Sequence, residues 1–220
     1  MEKLYIVANF KSNMTNNEAK NWLDVFISHK QELKNMGDKE VILAPTFTFL
    51  LSFNSVFSGT NIKLSAQNLS PFDEGAFTGE VNGKQIKDFA DYVIIGHSER
   101  RNNFGETDEM LTKKVNLALK YGLTPIFCVQ GKDTNIPQGV NVVAYEPVFA
   151  IGTGTPDTPE NADKVCEDII ANHDNLSVLY GGSVTSDNVA NFTKSDKIKG
   201  VLVGGASLDP MEFLNIIKNA

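Results

Sequence analysis

The sequence has few cysteines and no excess of positive charge, and these two absences exclude several classes of protein. Cys128 and Cys166 lie far apart without the spacing of metal ligands, so we interpret them as reduced thiols and not as a zinc site. The formal net charge of −7 argues against a general nucleic-acid or membrane-surface binder. A local cluster of lysine and backbone N–H groups could still bind an anionic substrate.

Long hydrophobic runs are also missing. Near the N-terminus only residues 4–10 are apolar, and Asn9 interrupts them. This stretch is too short for the hydrophobic region of a signal peptide, and no run elsewhere is long enough to span a membrane. We therefore expect a soluble cytoplasmic protein.

The sequence instead contains eight short apolar runs that are rich in β-branched residues, at 4–8, 41–44, 62–66, 92–95, 124–129, 141–144, 177–180 and 200–203. Their apolar character is nearly continuous and does not alternate. This pattern is typical of strands buried on both faces, as in a parallel sheet.

Segments of helical period separate most of these runs, at 16–34, 47–56, 84–90, 107–121, 159–171, 185–192 and 210–218. Thr107 is the expected N-cap of the fourth segment. Strands that alternate with helices in one chain without a linker predict an α/β fold, a (β/α)₈ barrel in which residues 1–220 form a single domain. An open doubly wound sheet is the alternative, although no glycine-rich dinucleotide motif follows the first strand.

One crossover is too short for the regular pattern. Only residues 130–140 separate the fifth strand from the sixth, and Gly131, Pro137 and Gly139 are among them. A complete crossover with its helix needs at least ~10–12 residues. We therefore predict that the fifth helix is missing or strongly shortened.

Polar residues follow several of the predicted strands, where barrel enzymes carry their catalytic groups. Asn9 and Lys11 follow the first strand, His97 the fourth and Glu146 the sixth. Glu146 could act as a base, His97 could polarise a carbonyl, and Lys11 could stabilise negative charge. Taken alone, Lys11 could be an exposed rim lysine, His97 a structural histidine and Glu146 a loop carboxylate. These alternatives are less convincing when all three residues lie at one rim.

Glycine pairs follow the last two predicted strands, at 181–182 and 204–205. Barrel enzymes often bind phosphate at this position through backbone N–H groups, and glycine lets the backbone approach the ligand closely. Ordinary strand-to-helix turns are the alternative. Residues 147–156 combine apolar side chains with two glycines beside Glu146, which indicates either a lid that excludes water or a loop that is permanently packed.

Specific motifs then carry a resemblance over nearly the whole chain: ANFKSN at 8–13, GAFTGE at 75–80, GHSERR at 96–101, FGETDE at 104–109, AYEPVFAIGTG at 144–154, YGGSV at 180–184 and VGGASL at 203–208. On these motifs the sequence resembles the triosephosphate isomerase family. The resemblance implies a small phosphorylated sugar as substrate, interconversion of dihydroxyacetone phosphate and glyceraldehyde 3-phosphate, and no metal or organic cofactor.

The resemblance also implies roles for individual residues. Glu146 would be the base, neutral His97 the electrophile, and Lys11 and Asn9 would assist. Glu99 would pair with Lys11, and Ser98 would support the site. The phosphate would be bound by backbone N–H groups of Gly152, Ser183, Gly204 and Gly205.

The mobile lid implied by the resemblance would close onto Tyr180 and Ser183, and its members are Pro147, Val148, Phe149, Ala150, Ile151, Gly152, Thr153 and Gly154. Phe149 stands where the family commonly has tryptophan. A homodimer would form through the loop around Thr78, which would reach Asn9 and Lys11 of the partner subunit.

Two competing interpretations stay open at this point. Another barrel isomerase or aldolase acting on a sugar phosphate would share the glycine pairs but would normally lack GHSERR together with a lysine after the first strand. A non-catalytic homologue would be expected to have lost Asn9, Lys11, His97 or Glu146, and none of these is missing.

Overall fold

The eight predicted strands hydrogen-bond in chain order and close into a parallel barrel. The computed structural model describes residues 3–29, 31, 37–147, 156–171, 173 and 175–220. The strands are β1 (Leu4–Asn9), β2 (Lys39–Ala44), β3 (Lys63–Ala66), β4 (Tyr92–Ile95), β5 (Thr124–Val129), β6 (Val142–Tyr145), β7 (Ser177–Tyr180) and β8 (Ile198–Val203). The barrel prediction is confirmed, and each strand lies within a few residues of its predicted position.

The described helices are α1 (Asn16–Ser28), α2 (Phe47–Phe57), α3 (Gly83–Lys87), α4 (Ser98–Phe104), α5 (Asp108–Lys120), α6 (Pro159–Ile170), α7 (Val189–Thr193) and α8 (Pro210–Asn219). A short 3₁₀ helix, Gly205–Leu208, follows β8. Thr107 caps α5 as predicted, because its side chain accepts the N–H of Met110. In the described part of the chain, no helix is long and apolar enough to cross a membrane.

One predicted boundary and one unpredicted helix need correction. α1 ends at Ser28, where the N–H of His29 bonds to the carbonyl of Phe26 three residues back. The rest of the predicted segment, up to residue 34, lies largely outside the described residues. Helix α4 was not predicted: it is short and polar, and its sequence SERRNNF has no apolar stripe to reveal it.

The hydrophobic core has two layers, because successive strand residues point to opposite sides of the barrel wall. Side chains inside the barrel include Val7, Ile42 and Ile126, all fully buried. The outer layer packs against the helices, and its aromatic members form a group between α1, α2 and α8, namely Trp22, Phe26, Phe53, Phe57 and Phe213.

Pairing of β1 with β8 closes the barrel and requires one particular glycine. Gly200 lies in register with Tyr5, and its φ of +147° is unfavourable for residues with a side chain. A Cβ at Gly200 would lie 2.0 Å from the carbonyl oxygen of Tyr5. The indole N–H of Trp22 donates to the carbonyl of Ser207 at 3.0 Å, which attaches α1 to the 3₁₀ helix after β8.

The crossover from β5 to β6 contains no helix, as predicted from its length. Its apolar residues substitute for the missing helix: Val140 is buried in the outer core layer, and Ile136 packs against that layer. The strand residues beneath, Phe127 and Val143, remain fully buried. The short connection therefore still covers the barrel wall.

Candidate active site

The barrel places six of the predicted site residues around one cavity at the carboxyl ends of the strands. This cavity has a volume of about 220 Å³. The predicted residues that line it are Asn9, Lys11, His97, Ser183, Gly204 and Gly205. They follow four different strands, β1, β4, β7 and β8, so only barrel closure brings them together.

Glu146 follows β6 directly and is completely buried. One carboxylate oxygen, Oε2, accepts the backbone N–H of Ser98 at 2.8 Å, and Oε1 accepts the Ser98 hydroxyl at 3.3 Å. Oε1 also lies 2.9 Å from Nε2 of His97. His97 lines the cavity and Glu146 does not, so the carboxylate contacts His97 from the side that faces away from the cavity.

His97 is the N-cap of α4, and this position determines which ring nitrogen carries hydrogen. Its Nδ1 accepts the backbone N–H of Glu99 at 3.2 Å. A nitrogen that accepts an N–H carries no proton, so the hydrogen of the ring lies on Nε2. Nε2 can then donate to the Glu146 carboxylate, or to an oxygen of a ligand in the cavity.

Lys11 has an unusual backbone conformation that two amide side chains stabilise. Its φ is +52°, which is uncommon for a residue with a side chain. The side chain of Asn9 accepts the N–H of Lys11 at 3.1 Å, and Nε2 of Gln67 donates to its carbonyl at 2.9 Å. Nζ of Lys11 lies 2.5 Å from Glu99. The predicted pairing of Lys11 with Glu99 is thus present.

The glycines that follow β7 and β8 pack closely against side chains of the candidate site. A Cβ at Gly204 would lie 3.4 Å from Cε of Lys11. At Gly181 a Cβ would lie 3.3 Å from Cγ of Glu146, and at Gly182 it would lie 2.2 Å from the hydroxyl oxygen of Tyr180. Close packing of the backbone against these side chains explains the need for glycine after β7.

Several predicted residues lie outside the described part of the chain: Val148, Phe149, Ala150, Ile151, Gly152, Thr153 and Gly154. Pro147 lies before this segment. On its far side, the backbone N–H of Asp157 donates to the hydroxyl of Tyr180 at 2.8 Å. Thr78 is exposed on the connection between β3 and α3.

Two neighbours of the site were not assigned a role from the sequence. Gln67, which directly follows β3, is one of them. Cys128, interpreted as a reduced thiol, lies beside Glu146: burial together with this carboxylate raises the pKa of its thiol well above the usual value. Its inward position on β5 could be inferred from strand periodicity, but its contact with Glu146 depends on how β5 and β6 pair.

In the described residues, no group of three or more histidine, cysteine or acidic side chains could hold a metal ion.

Comparison with known proteins identifies relatives over the whole chain. A model of the triosephosphate isomerase family matches residues 4–220. The triosephosphate isomerase of Trichodesmium erythraeum is 40% identical over 240 residues, covering 99% of both chains, and that of Dictyoglomus thermophilum is 39% identical over 252 residues, covering 100% of both. A crystal structure of triosephosphate isomerase from Bartonella henselae matches with a TM-score of 0.83 at 26% identity, covering 99% of this chain and 98% of that chain. The two sequence alignments are longer than 220 residues, so these relatives contain residues that this chain lacks.

Proposed function

This chain belongs to the triosephosphate isomerase family, and we propose that it interconverts dihydroxyacetone phosphate and glyceraldehyde 3-phosphate by proton transfer. The observation that carries the proposal is the hydrogen-bonded pair of Glu146 and His97, 2.9 Å apart, beside a cavity that Lys11 also lines. A base, a neutral hydrogen-bond donor and a cation are the groups that formation of an enediolate requires.

Glu146 is proposed as the base that removes a proton from one substrate carbon and returns it to the other. Its carboxylate first has to leave the Ser98 N–H and hydroxyl, because these bonds hold it behind His97. Ser98 is thus proposed to hold the base in its resting position.

His97 and Lys11 are proposed to stabilise the negative charge that develops on the substrate oxygens. Nε2–H of His97 can donate to these oxygens once Glu146 has turned away. Nζ of Lys11 supplies a positive charge that Glu99 holds in place at 2.5 Å. Asn9 supports Lys11 by accepting its backbone N–H.

The phosphate group is proposed to lie against the ends of β7 and β8, where Ser183, Gly204 and Gly205 line the cavity. Backbone N–H groups of these residues would bind phosphate oxygens, with Gly152 as a further donor from outside the described residues. Residues 147–154 are proposed to cover the bound substrate.

An assay of the purified protein tests this proposal directly. Glyceraldehyde 3-phosphate should be converted to dihydroxyacetone phosphate, and deuterium from D₂O should enter the carbon-bound position. Glu146→Asp should lower kcat by about 10²-fold, because a displacement of ~1 Å is enough for this loss, while KM changes little. Glu167→Asp is the matched control, because Glu167 pairs with Lys197 at the exposed side of α6. An inactive wild-type protein, or an unchanged turnover in Glu146→Asp, would contradict the proposal.

We also propose a homodimer that forms through the loop around Thr78. Apolar side chains are exposed on this loop: Phe72 and Phe77 stack with ring centroids 4.4 Å apart, and they are 49% and 41% exposed. Further exposed apolar residues, Phe47, Leu51 and Phe104, follow β2 and β4 on the same side of the barrel. An apolar surface of this kind favours burial against a second protein.

Sedimentation equilibrium should give twice the mass of one chain, and Phe77→Asp should shift the mass toward that of the monomer. Met211→Asp is the control, because Met211 is also exposed, at 38%, but lies on α8. A monomeric wild-type protein at micromolar concentration would rule out the dimer.

The cytoplasm, a reducing compartment, is our proposed location, because the two cysteines are free and buried. Burial raises the pKa of the Cys166 thiol to about 12, and a thiol reagent needs the thiolate. Both thiols should therefore react with such a reagent at pH 8 only after unfolding. Protein isolated with a disulfide between them would contradict a reducing location.

A further inference from the structure

Asn188 lies at the start of α7, and its side chain turns back toward the loop that follows β7. It occupies the N-cap position of α7, but its side chain makes no capping hydrogen bond to the helix. An asparagine at an N-cap normally accepts a backbone N–H from the first turn. Helix capping therefore does not explain the orientation of this side chain.

Two hydrogen bonds join the Asn188 amide to this loop. Nδ2 donates to the carbonyl of Ser183 at 3.1 Å, and Oδ1 accepts the backbone N–H of Thr185 at 2.9 Å. A carbonyl can only accept and a backbone N–H can only donate, so these partners fix which end of the amide is nitrogen and which is oxygen. The side chain therefore connects the start of α7 to the residue that lines the cavity after β7.

The backbone of Ser183 is held on both sides. Before it, Gly181 donates its N–H to the carbonyl of Tyr145 at 2.7 Å. After it, the bond from Asn188 fixes the peptide unit that contains the Ser183 carbonyl. The N–H of Ser183 lies between these two fixed points, so its direction depends on both of them.

The loop is attached to α8 as well. Oε1 of Glu212 accepts the backbone N–H of Ser186 at 2.7 Å, and Oε2 accepts the Ser186 hydroxyl at 2.9 Å. Nδ2 of Asn219 donates to the Ser186 carbonyl at 2.9 Å. Because α8 follows β8, these bonds connect the loop after β7 with the element that follows the neighbouring strand. They hold Ser186, further along the loop than Ser183.

We infer that Asn188 is a positioning residue for the phosphate group of the substrate, because it holds the backbone of Ser183 in the conformation in which its N–H serves the site. This inference rests on the proposed function, in which Ser183 is one of the phosphate ligands. Asn188 does not line the cavity itself, so it acts through Ser183. A loop that is already ordered loses less conformational freedom when it binds a ligand, which strengthens binding.

Inorganic phosphate is the probe, because it is the group that the loop is proposed to bind. Asn188→Ala should raise the Kd of inorganic phosphate, measured by ³¹P NMR titration, by about three- to tenfold, as expected for the loss of one hydrogen bond. The KM for glyceraldehyde 3-phosphate should rise by a similar factor. kcat should change little, because the loop binds a part of the substrate that does not react.

A residue that only stabilised the fold would behave differently. Its loss would lower the amount of active protein, and hence the apparent kcat, but the Kd of the folded fraction would not change. Thermal unfolding of each variant gives the folded fraction at the temperature of the assay.

Asn188→Asp separates the two hydrogen bonds of the side chain. Its carboxylate can still accept the N–H of Thr185 but cannot donate to Ser183. Phosphate binding should therefore be at least as weak as in Asn188→Ala. Full affinity in Asn188→Asp would show that the bond to Thr185 is sufficient, and it would overturn the role assigned to the bond with Ser183.

Asn191→Ala is the matched control, because Asn191 is an exposed residue of the same helix. It should leave the Kd of phosphate and the KM unchanged. A rise equal to that in Asn188→Ala would assign the effect to α7 as a whole and overturn the inference.

The outcomes separate the two proposals. An inactive wild-type protein would contradict the proposed function, yet the phosphate titration would still test Asn188 because it needs no turnover. A wild type that binds no phosphate, or an unchanged Kd in Asn188→Ala, would overturn the role of Asn188.

Discussion

Nε2 of His97 lies 2.9 Å from Oε1 of Glu146 while Nδ1 of the same ring accepts the backbone N–H of Glu99 at 3.2 Å. The two contacts favour the tautomer that carries the ring hydrogen on Nε2. This relationship connects the residue that precedes α4 with the residue that follows β6, and the two are 49 positions apart in the chain.

The tautomer of His97 can be measured. In ¹⁵N-labelled protein at pH 7 we expect the shifts of one of the three histidines to show Nε2–H with an unprotonated Nδ1. His97→Gln should identify that signal by its loss and should lower kcat by about 10²-fold, since it removes the donor proposed to polarise the substrate. His173→Gln is the control. A doubly protonated His97 at pH 7 would contradict the assignment.

Gln67 should be needed for the conformation of Lys11. Its Nε2 donates to the carbonyls of Lys11 at 2.9 Å and Ala44 at 2.8 Å. Gln67→Leu leaves both carbonyls without this donor, which should lower the free energy of unfolding by about 1–3 kcal/mol. KM should rise as well, because Lys11 is proposed to contact the substrate. Urea unfolding and steady-state kinetics measure the two effects. Gln138→Leu, at an exposed position of the fifth crossover, should change neither.

Gly182 should tolerate no side chain. The Cβ of Gly182→Ala would lie 2.2 Å from the hydroxyl oxygen of Tyr180, so Tyr180 would have to move and its bond to Asp157 would break. We expect a loss of roughly 1–3 kcal/mol in unfolding free energy, as for other overpacked sites, together with lower kcat. In contrast, Gly131→Ala meets no atom within 4 Å and should be close to neutral. Equal stability of the two variants would show that Tyr180 adapts.

Acid should weaken the attachment of the loop that precedes Thr78. Hydrogen bonds from Lys120 and Tyr121 lower the pKa of Asp73 from 3.8 to about 2. A lowered pKa in the folded state stabilises the protein above pH ~4, and this contribution is lost as the pH falls toward 2. The effect should be small, because Asp73 is exposed to solvent screening.

The measurement is urea unfolding of the wild type and of Asp73→Asn. The variant should be less stable at pH 6, and the difference should shrink between pH 4 and pH 2. Asp24→Asn, at an exposed position of α1, should show no such convergence. A difference that is constant over this range would exclude Asp73 as its source.

Much of the fold could be predicted because strand and helix patterns are local. Near-continuous apolar runs marked all eight strands, and the length of residues 130–140 was enough to predict a missing or strongly shortened fifth helix. Helix α4 could not be predicted because its sequence has no apolar stripe. Its first residues instead make polar contacts in the site: Ser98 binds Glu146, and Glu99 binds Lys11.

The sequence by itself determined the order of the elements and the presence of Lys11, His97 and Glu146 after strands, because periodicity and turn residues act over short distances. Only the tertiary structure decided which of these groups touch. Barrel closure placed His97 beside both Glu146 and the cavity, and it brought Gln67 to the carbonyl of Lys11. The physical reason is that each of these contacts joins residues from different strands, so it depends on strand pairing and register, which no local pattern encodes.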